Sequence, residues 1–195
     1  MAIAQAQFTK AEITYPESDG LPMADNTKQF RYIVTIAGGL SAQYANNPNV
    51  FVAGDLFWYP VEGRPDIRVA YLQWKEANIA PQVVFEILSP SNTPVEMARK
   101  NNFYARYGVE EYYEYDPDRG ELRGWLRNEQ YLDPIDEMHG WASPRLQVRF
   151  ELHDGELVLF HPNGKRFETF AEISERAERL AAQLRALGVE PDNAP

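Results

Sequence analysis

The run Val83-Val84-Phe85-Glu86-Ile87-Leu88 places one carboxylate inside an apolar stretch of strand length, rich in β-branched and aromatic residues. Apolar residues at successive positions predict a strand covered on both faces, in the middle of an α/β sheet. A carboxylate in that setting is costly when unpaired. Glu86 therefore needs a lysine or arginine, a metal ion, or an outlet to solvent at the sheet edge. Lys100, on the next predicted element, is one such partner.

The elements that would bring the two together are marked in the sequence. Thr93, Pro94 and Glu96 read as a helix start, with Thr93 as N-cap, Pro94 at the first helical position and Glu96 closing a capping box. Gly108 marks the end of that helix. At about 100° per residue, Lys100 falls within about 60° of Met97, Phe103, Tyr104 and Tyr107, so it points with the aromatic stripe toward the sheet. A strand carboxylate and a helix ammonium can converge on one spot. By spacing alone this is either a buried ion pair or a catalytic pair.

The stretch FEILSPSNTPVEMARKNNFYARYGVEEYYEYD resembles the signature of the Uma family of restriction endonucleases, in the PD-(D/E)XK nuclease superfamily. Glu86, Ser89, Pro90, Lys100, Tyr104, Gly108, Val109, Asp116 and Pro117 match that pattern as they stand, and the similarity runs from about Tyr15 to the last helix. The resemblance implies a restriction-endonuclease-like α/β (α+β) fold, with a mixed central β-sheet flanked by helices. It also implies Mg²⁺-dependent hydrolysis of DNA phosphodiester bonds. In such a site two carboxylates hold Mg²⁺, and a lysine beside them orients the attacking water and stabilises growing negative charge. Glu86 would be one metal ligand and Lys100 the cation. The superfamily's usual lysine position, two residues after the Glu, is Leu88 here.

The first carboxylate is where this chain departs from the family. The family's Asp lies in an Ala-Pro-Asp-Val turn and strand, followed by a long apolar strand and a charged, glycine-rich loop. Here Ile67-Arg68-Val69-Ala70 runs straight into Tyr71-Leu72-Gln73-Trp74, as if that segment had been removed after Ala70. Asp66, in Pro65-Asp66-Ile67, is the candidate replacement catalytic and metal-binding residue. Asp55, on the preceding predicted strand, is the second candidate, and a chain with no replacement is the third reading. A catalytically inactive nuclease-fold module for nucleic-acid binding or self-association is the corresponding functional alternative.

Composition bounds these readings. The chain of 195 residues, 44% hydrophobic, suffices for one substantial core, which predicts a single domain over 1–195, with a core over 15–165 and a helix over 169–188. No apolar stretch is long enough to span a membrane, and the N-terminal MAIAQAQFTKAE lacks a signal-peptide core, so a cytoplasmic location is the expectation. The absence of cysteine excludes disulfides and cysteine-ligated zinc. A net charge of −10 repels nucleic acid at long range, so DNA contact would need a local basic patch or a bound cation. Arg99, Arg106, Arg119, Arg123 and Arg127 supply either such a rim or ordinary paired surface charge.

Along the chain, Asn26 and Gln29 read as a capping pair for a helix with Phe30, Ile33, Val34 and Ala37 on one face, and Gly38-Gly39 predicts a kink or a close packing contact within it. Val50 to Val61 reads as a strand with a bend at Gly54-Asp55, and Ile67, Val69 and Tyr71 as a short half-buried strand. Glu111–Tyr115 and Glu121–Leu126 form a hairpin about the turn Asp116–Gly120, residues 127–145 read as irregular, and a second antiparallel pair follows. Tyr112, Tyr113 and Tyr115, with Trp58, Trp74 and Trp125, serve either base stacking or packing, and His139, His153 and His161 lack metal-ligand spacing. The last helix carries Phe170, Ile173, Ala177, Leu180, Leu184 and Leu187 as a narrow seam, which either docks on the domain or pairs with a second copy in a homodimer.

Overall fold

A computed structural model describes residues 24–55, 58–62 and 71–191. The chain divides into two compact units, one of residues 1–21 and 55–80, the other of residues 22–54 and 81–195. In the first unit, β1 (Trp58–Tyr59) pairs in parallel with β2 (Tyr71–Leu72), and a 3₁₀ turn, Gln73–Lys75, follows. The Trp58 indole donates to Gln73 Oε1 at 2.9 Å, and the Tyr71 hydroxyl to the Ile79 carbonyl at 2.9 Å. Among the described residues, the strand expected over 50–61 is reduced to Trp58–Tyr59: residues 50–55 follow an irregular path that bends at Asp55, whose φ is 51°. Of the short strand expected over 67–71, only Tyr71 lies within the described residues.

The larger unit is built on a mixed four-stranded sheet, β3 (Val83–Ile87), β4 (Glu111–Asp116), β5 (Glu121–Asn128) and β6 (Tyr131–Pro134), side by side in that order. β3 and β4 run parallel, joined through helix α2 (Pro94–Tyr107), as parallel strands require a crossover. β4, β5 and β6 are antiparallel neighbours. β6 lies inside the stretch expected to be irregular: Leu132 supplies the one buried residue of a strand too short to show alternation. The fold class is the expected one, an α/β arrangement with a mixed sheet between helices, but among the described residues the Glu86 strand is not central. Among the described residues β3 is the edge strand of this sheet, and β4, buried from Glu111 to Tyr115, occupies the middle.

Strand alternation sorts the sheet into two faces. Tyr113 and Tyr115 face helix α1 (Thr27–Gln43) and the hairpin β7 (Arg149–His153) with β8 (Glu156–Phe160): the Tyr115 ring meets Tyr32 edge-on at 4.7 Å, and Tyr113 meets Phe150 at 4.6 Å. Tyr112 faces α2, with its ring 4.9 Å from Tyr104 and stacked on Trp125 at 5.0 Å. The three β4 tyrosines are core residues, and none is presented for base stacking.

Helix α1 begins as the sequence expects, with the Asn26 side chain accepting from the Gln29 amide, while the Gln29 side chain donates to the Ile87 carbonyl at 2.6 Å. Its buried stripe is Tyr32, Ile36 and Leu40; of the expected face Phe30, Ile33, Val34 and Ala37, Ile33 packs against the same core, and the Tyr32 hydroxyl bonds Glu156 and Tyr115. Phe30 stays half-exposed. The helix passes Gly38-Gly39 unbroken, and the second glycine makes a close contact: a Cβ there would overlap the buried Phe167 ring.

Helix α3 (Phe170–Ala186) starts at Thr169 with both bonds of a capping box to Glu172. That contact and Arg166 hold the Glu172 carboxyl down at about 2. No residue of α3 is buried, and Phe170 and Leu187 are each 78% exposed, so its seam does not dock on the described residues.

The two glycines of α1 make opposite predictions. Gly38→Ala meets nothing within 4 Å and should stabilise the protein by about 0.5–1 kcal/mol through helix propensity. Gly39→Ala gains the same propensity but overpacks Phe167, a cost of about 1–3 kcal/mol, and should be net destabilising. Urea-denaturation midpoints of the two variants check this; equal shifts in one direction would contradict it.

Candidate functional site

The start of α2 is fixed by Thr93, whose hydroxyl accepts from the Glu96 amide at 3.2 Å, with Pro94 in the first turn. Glu96 does not complete the capping box; its carboxylate accepts from the Asn92 side chain and lies 3.8 Å from Lys100. At the other end Gly108 adopts φ 97°, which a side chain would resist, and its amide bonds the Tyr104 carbonyl. Arg127, reaching from β5, caps the last turn by donating to the carbonyls of Ala105 at 2.6 Å and Val109 at 2.7 Å. This arginine is a structural clamp, not part of a phosphate-contacting rim. Arg119 and Arg123 pair with Asp116 and Glu121, while Arg99 and Arg106 are exposed.

With both ends anchored, α2 holds Lys100 over β3. Lys100 Nζ lies 3.0 Å from Glu86 Oε2, and the Tyr104 hydroxyl, one helical turn on, donates to Glu86 Oε1. The pair is neither sealed nor free: the Glu86 side chain is 19% exposed and that of Lys100 35%. Tyr104 is held well above its ordinary value near 10, by burial first and by the Glu86 charge next, so it remains a hydrogen-bond donor.

The site contains a second carboxylate that the sequence reading passed over. Glu114 stands beside Glu86 in the parallel register, on the same face, and Arg123 lies opposite it on β5. It is 5% exposed, and its Oε1 accepts from the Tyr112 hydroxyl at 2.5 Å. Burial raises the Glu114 carboxyl above the usual value near 4.5, Glu86 raises it further, and Tyr112, Arg123 and Lys100 oppose the rise. The available signal was the anomaly that drew attention to Glu86: a charge flanked by residues that a strand must bury. Glu111 shares that anomaly on the opposite face, but is enclosed by donors, the Tyr113 and Ser143 hydroxyls on one oxygen and the Arg145 amide at 2.7 Å on the other.

Of the site residues expected from sequence, Glu86 and Lys100 come together. Asp66 lies outside the described residues. Asp55 is exposed at the bend before β1, on no strand. Ser89 and Ser91 both donate to Asp25 at 2.5 Å, a clamp beside the α1 N-cap with no histidine in it. His153 pairs with Glu151 and His161 with Gln43, and among the described residues no group of three or more metal-ligating side chains converges. A hard cation such as Mg²⁺ takes oxygen donors, usually from one or two carboxylates, and keeps several waters. The carboxylate oxygens of Glu86 and Glu114 fit that requirement.

The site is thus a strand-borne glutamate faced by a helix-borne lysine, on the mixed sheet of an α/β protein. The family model described as "Uma2: Putative restriction endonuclease" matches residues 34–139, more than half of the chain and all of the Glu86–Lys100 site. The chain belongs to this family. Among solved structures it is similar to one described as a putative nuclease belonging to DUF820 from Anabaena variabilis. The identity is 17%, over 66% of this chain and 83% of that one, with a TM-score of 0.40. No curated protein matches it.

Because folding raises the Glu114 carboxyl, the native state keeps a proton that the unfolded chain has already released. Stability should therefore fall as pH rises from the ordinary value of 4.5 through the raised native one. Glu114→Gln removes this loss. The variant should be more stable than the parent at neutral pH, with the two curves converging on acidification. Denaturation midpoints across that range check it, and a parent that gains on the variant as pH rises would refute it.

Proposed function

We propose that the chain is a Mg²⁺-dependent endonuclease that hydrolyses DNA phosphodiester bonds, acting in the cytoplasm. The observation that carries this reading is the Glu86–Lys100–Tyr104 contact inside the family-matched segment. When bound, the metal supplies a Lewis acid for the phosphate and a lowered pKa for the attacking water. Glu86 would hold it, as the more exposed of the two strand carboxylates. Asp66, twenty residues before Glu86 in the chain, is the sequence-based candidate for a second ligand.

Lys100 is an ammonium on a flexible stem, one-third exposed, and can leave the carboxylate to meet negative charge building on a scissile phosphate. Tyr104, kept as a phenol, fixes the Glu86 carboxylate by one oxygen while the other faces Lys100. The same contacts also support a second reading. Both Glu86 oxygens already have protein partners, as they would in an inactive nuclease-fold module that binds nucleic acid or itself.

Nicking of supercoiled plasmid separates the two. Glu86→Gln and Lys100→Ala should each lower Mg²⁺-dependent nicking by about 100-fold or more while leaving the circular-dichroism spectrum unchanged. Parent nicking that survives Glu86→Gln would show that the chemistry lies elsewhere. A parent with no metal-dependent nicking at all would favour the inactive module.

A further inference from the structure

We infer that Glu114, on β4, is a carboxylate ligand that holds the cation together with Glu86. This inference rests on the metal-dependent reading above and names a further ligand for it.

Three observations support it. The first is register: Glu86 and Glu114 are paired across the β3–β4 ladder, and neighbouring strands lie about 4.8 Å apart, a gap that a cation between two carboxylates can bridge. The second concerns charge. Like charges at paired positions repel, and one ammonium, Lys100, faces two carboxylates. Arg123, the paired residue on the other side, turns its guanidinium to Glu121 at 2.7 Å and makes no ion pair with Glu114 among the described residues. Of the two carboxylates in the row only Glu86 is ion-paired among the described residues, and Arg123 acts on Glu114 from a distance.

The third observation is the state of the carboxylate oxygens. Both oxygens of Glu86 and both of Glu111 have protein donors. Glu114 has one donor among the described residues, the Tyr112 hydroxyl on Oε1. Its Oε2 has none, and since no fully buried side-chain oxygen among these residues lacks a partner, Oε2 keeps a small accessible area. A merely structural glutamate in this position would be enclosed like Glu111. An accessible oxygen next to Glu86 is what a ligand to a hydrated hard cation requires.

Calorimetric titration of the full chain with Mn²⁺ and Mg²⁺, without DNA, tests this apart from catalysis. Glu86→Gln and Glu114→Gln should each weaken binding at least about tenfold. If Glu86→Gln weakens binding but Glu114→Gln does not, the assignment of Glu114 is overturned while the Glu86 metal centre stands. If Glu86→Gln binds as the parent does, or the parent binds neither ion, the metal-dependent reading falls, and this inference with it. A measurement on the unmutated protein removes any dependence on how the variants fold. In ¹³C spectra Mg²⁺ should shift the side-chain carboxyl resonances of Glu86 and Glu114 together, with one saturation curve, and leave Glu111 in place. A Glu114 resonance that stays fixed while Glu86 moves would overturn the assignment.

Discussion

The Glu86 carboxylate is the constraint to which the rest of the larger unit answers. A charge on a strand that packs against a helix must be compensated, and the compensation comes from α2, through Lys100 and Tyr104. That fixes the helix in rotation. Its length is fixed separately, by the Thr93 cap at one end and by Gly108 with Arg127 at the other. The strength of the Glu86–Lys100 pair lies between two limits. Exposed ion pairs contribute about 0–1 kcal/mol, and breaking a buried one costs about 3–5 kcal/mol. With the partners 19% and 35% exposed, the pair sits toward the weaker end. It is firm enough to orient a helix and weak enough to be exchanged for another charge.

The two faces of the sheet use acidic residues in opposite ways. On the α1 face, Glu111 is surrounded by hydroxyl and amide donors and fastens the segment around Ser143 to β4. On the α2 face, polar and apolar rows alternate along the strands: Val84, Tyr112 and Trp125 form a packed row, with Glu86, Glu114 and Arg123 beside it. The aromatic row lies beside the polar one, and Tyr104 spans both, its ring tilted against Tyr112 while its hydroxyl bonds Glu86. Chemistry and packing are therefore two residues apart along each strand.

Much of this was legible in the sequence where a strong local signal met a period. Glu86 was conspicuous as a charge in an apolar run, and Lys100 was placed by helical spacing. The caps Asn26, Thr93 and Thr169 all start the helices that they predict. What was not legible depended on pairing. Glu114 matters because of the residue opposite it, and register between β3 and β4 is a property of two strands, not of one. The position of β3 at the edge among the described residues was hidden for the same reason, since a run of apolar residues reports coverage but not strand order. Strand β6 is four residues long, too short for alternation to declare itself. In α1 two apolar stripes lie side by side, and only tertiary packing shows which is buried.

Every residue of the Glu86–Lys100–Tyr104–Glu114 constellation lies in one contiguous strand–helix–strand segment, Val83 to Asp116. Its geometry is set by one crossover and one ladder, over short sequence separations. Loop closure over such a segment carries a small entropic cost, so the constellation can assemble early in folding, before remote parts of the chain have found their places. It also follows that a change of length elsewhere in the chain leaves the internal spacing of this segment untouched. The segment behaves as a unit of inheritance: a lineage can lose a neighbouring strand and still pass on the carboxylate, the ammonium and the distance between them.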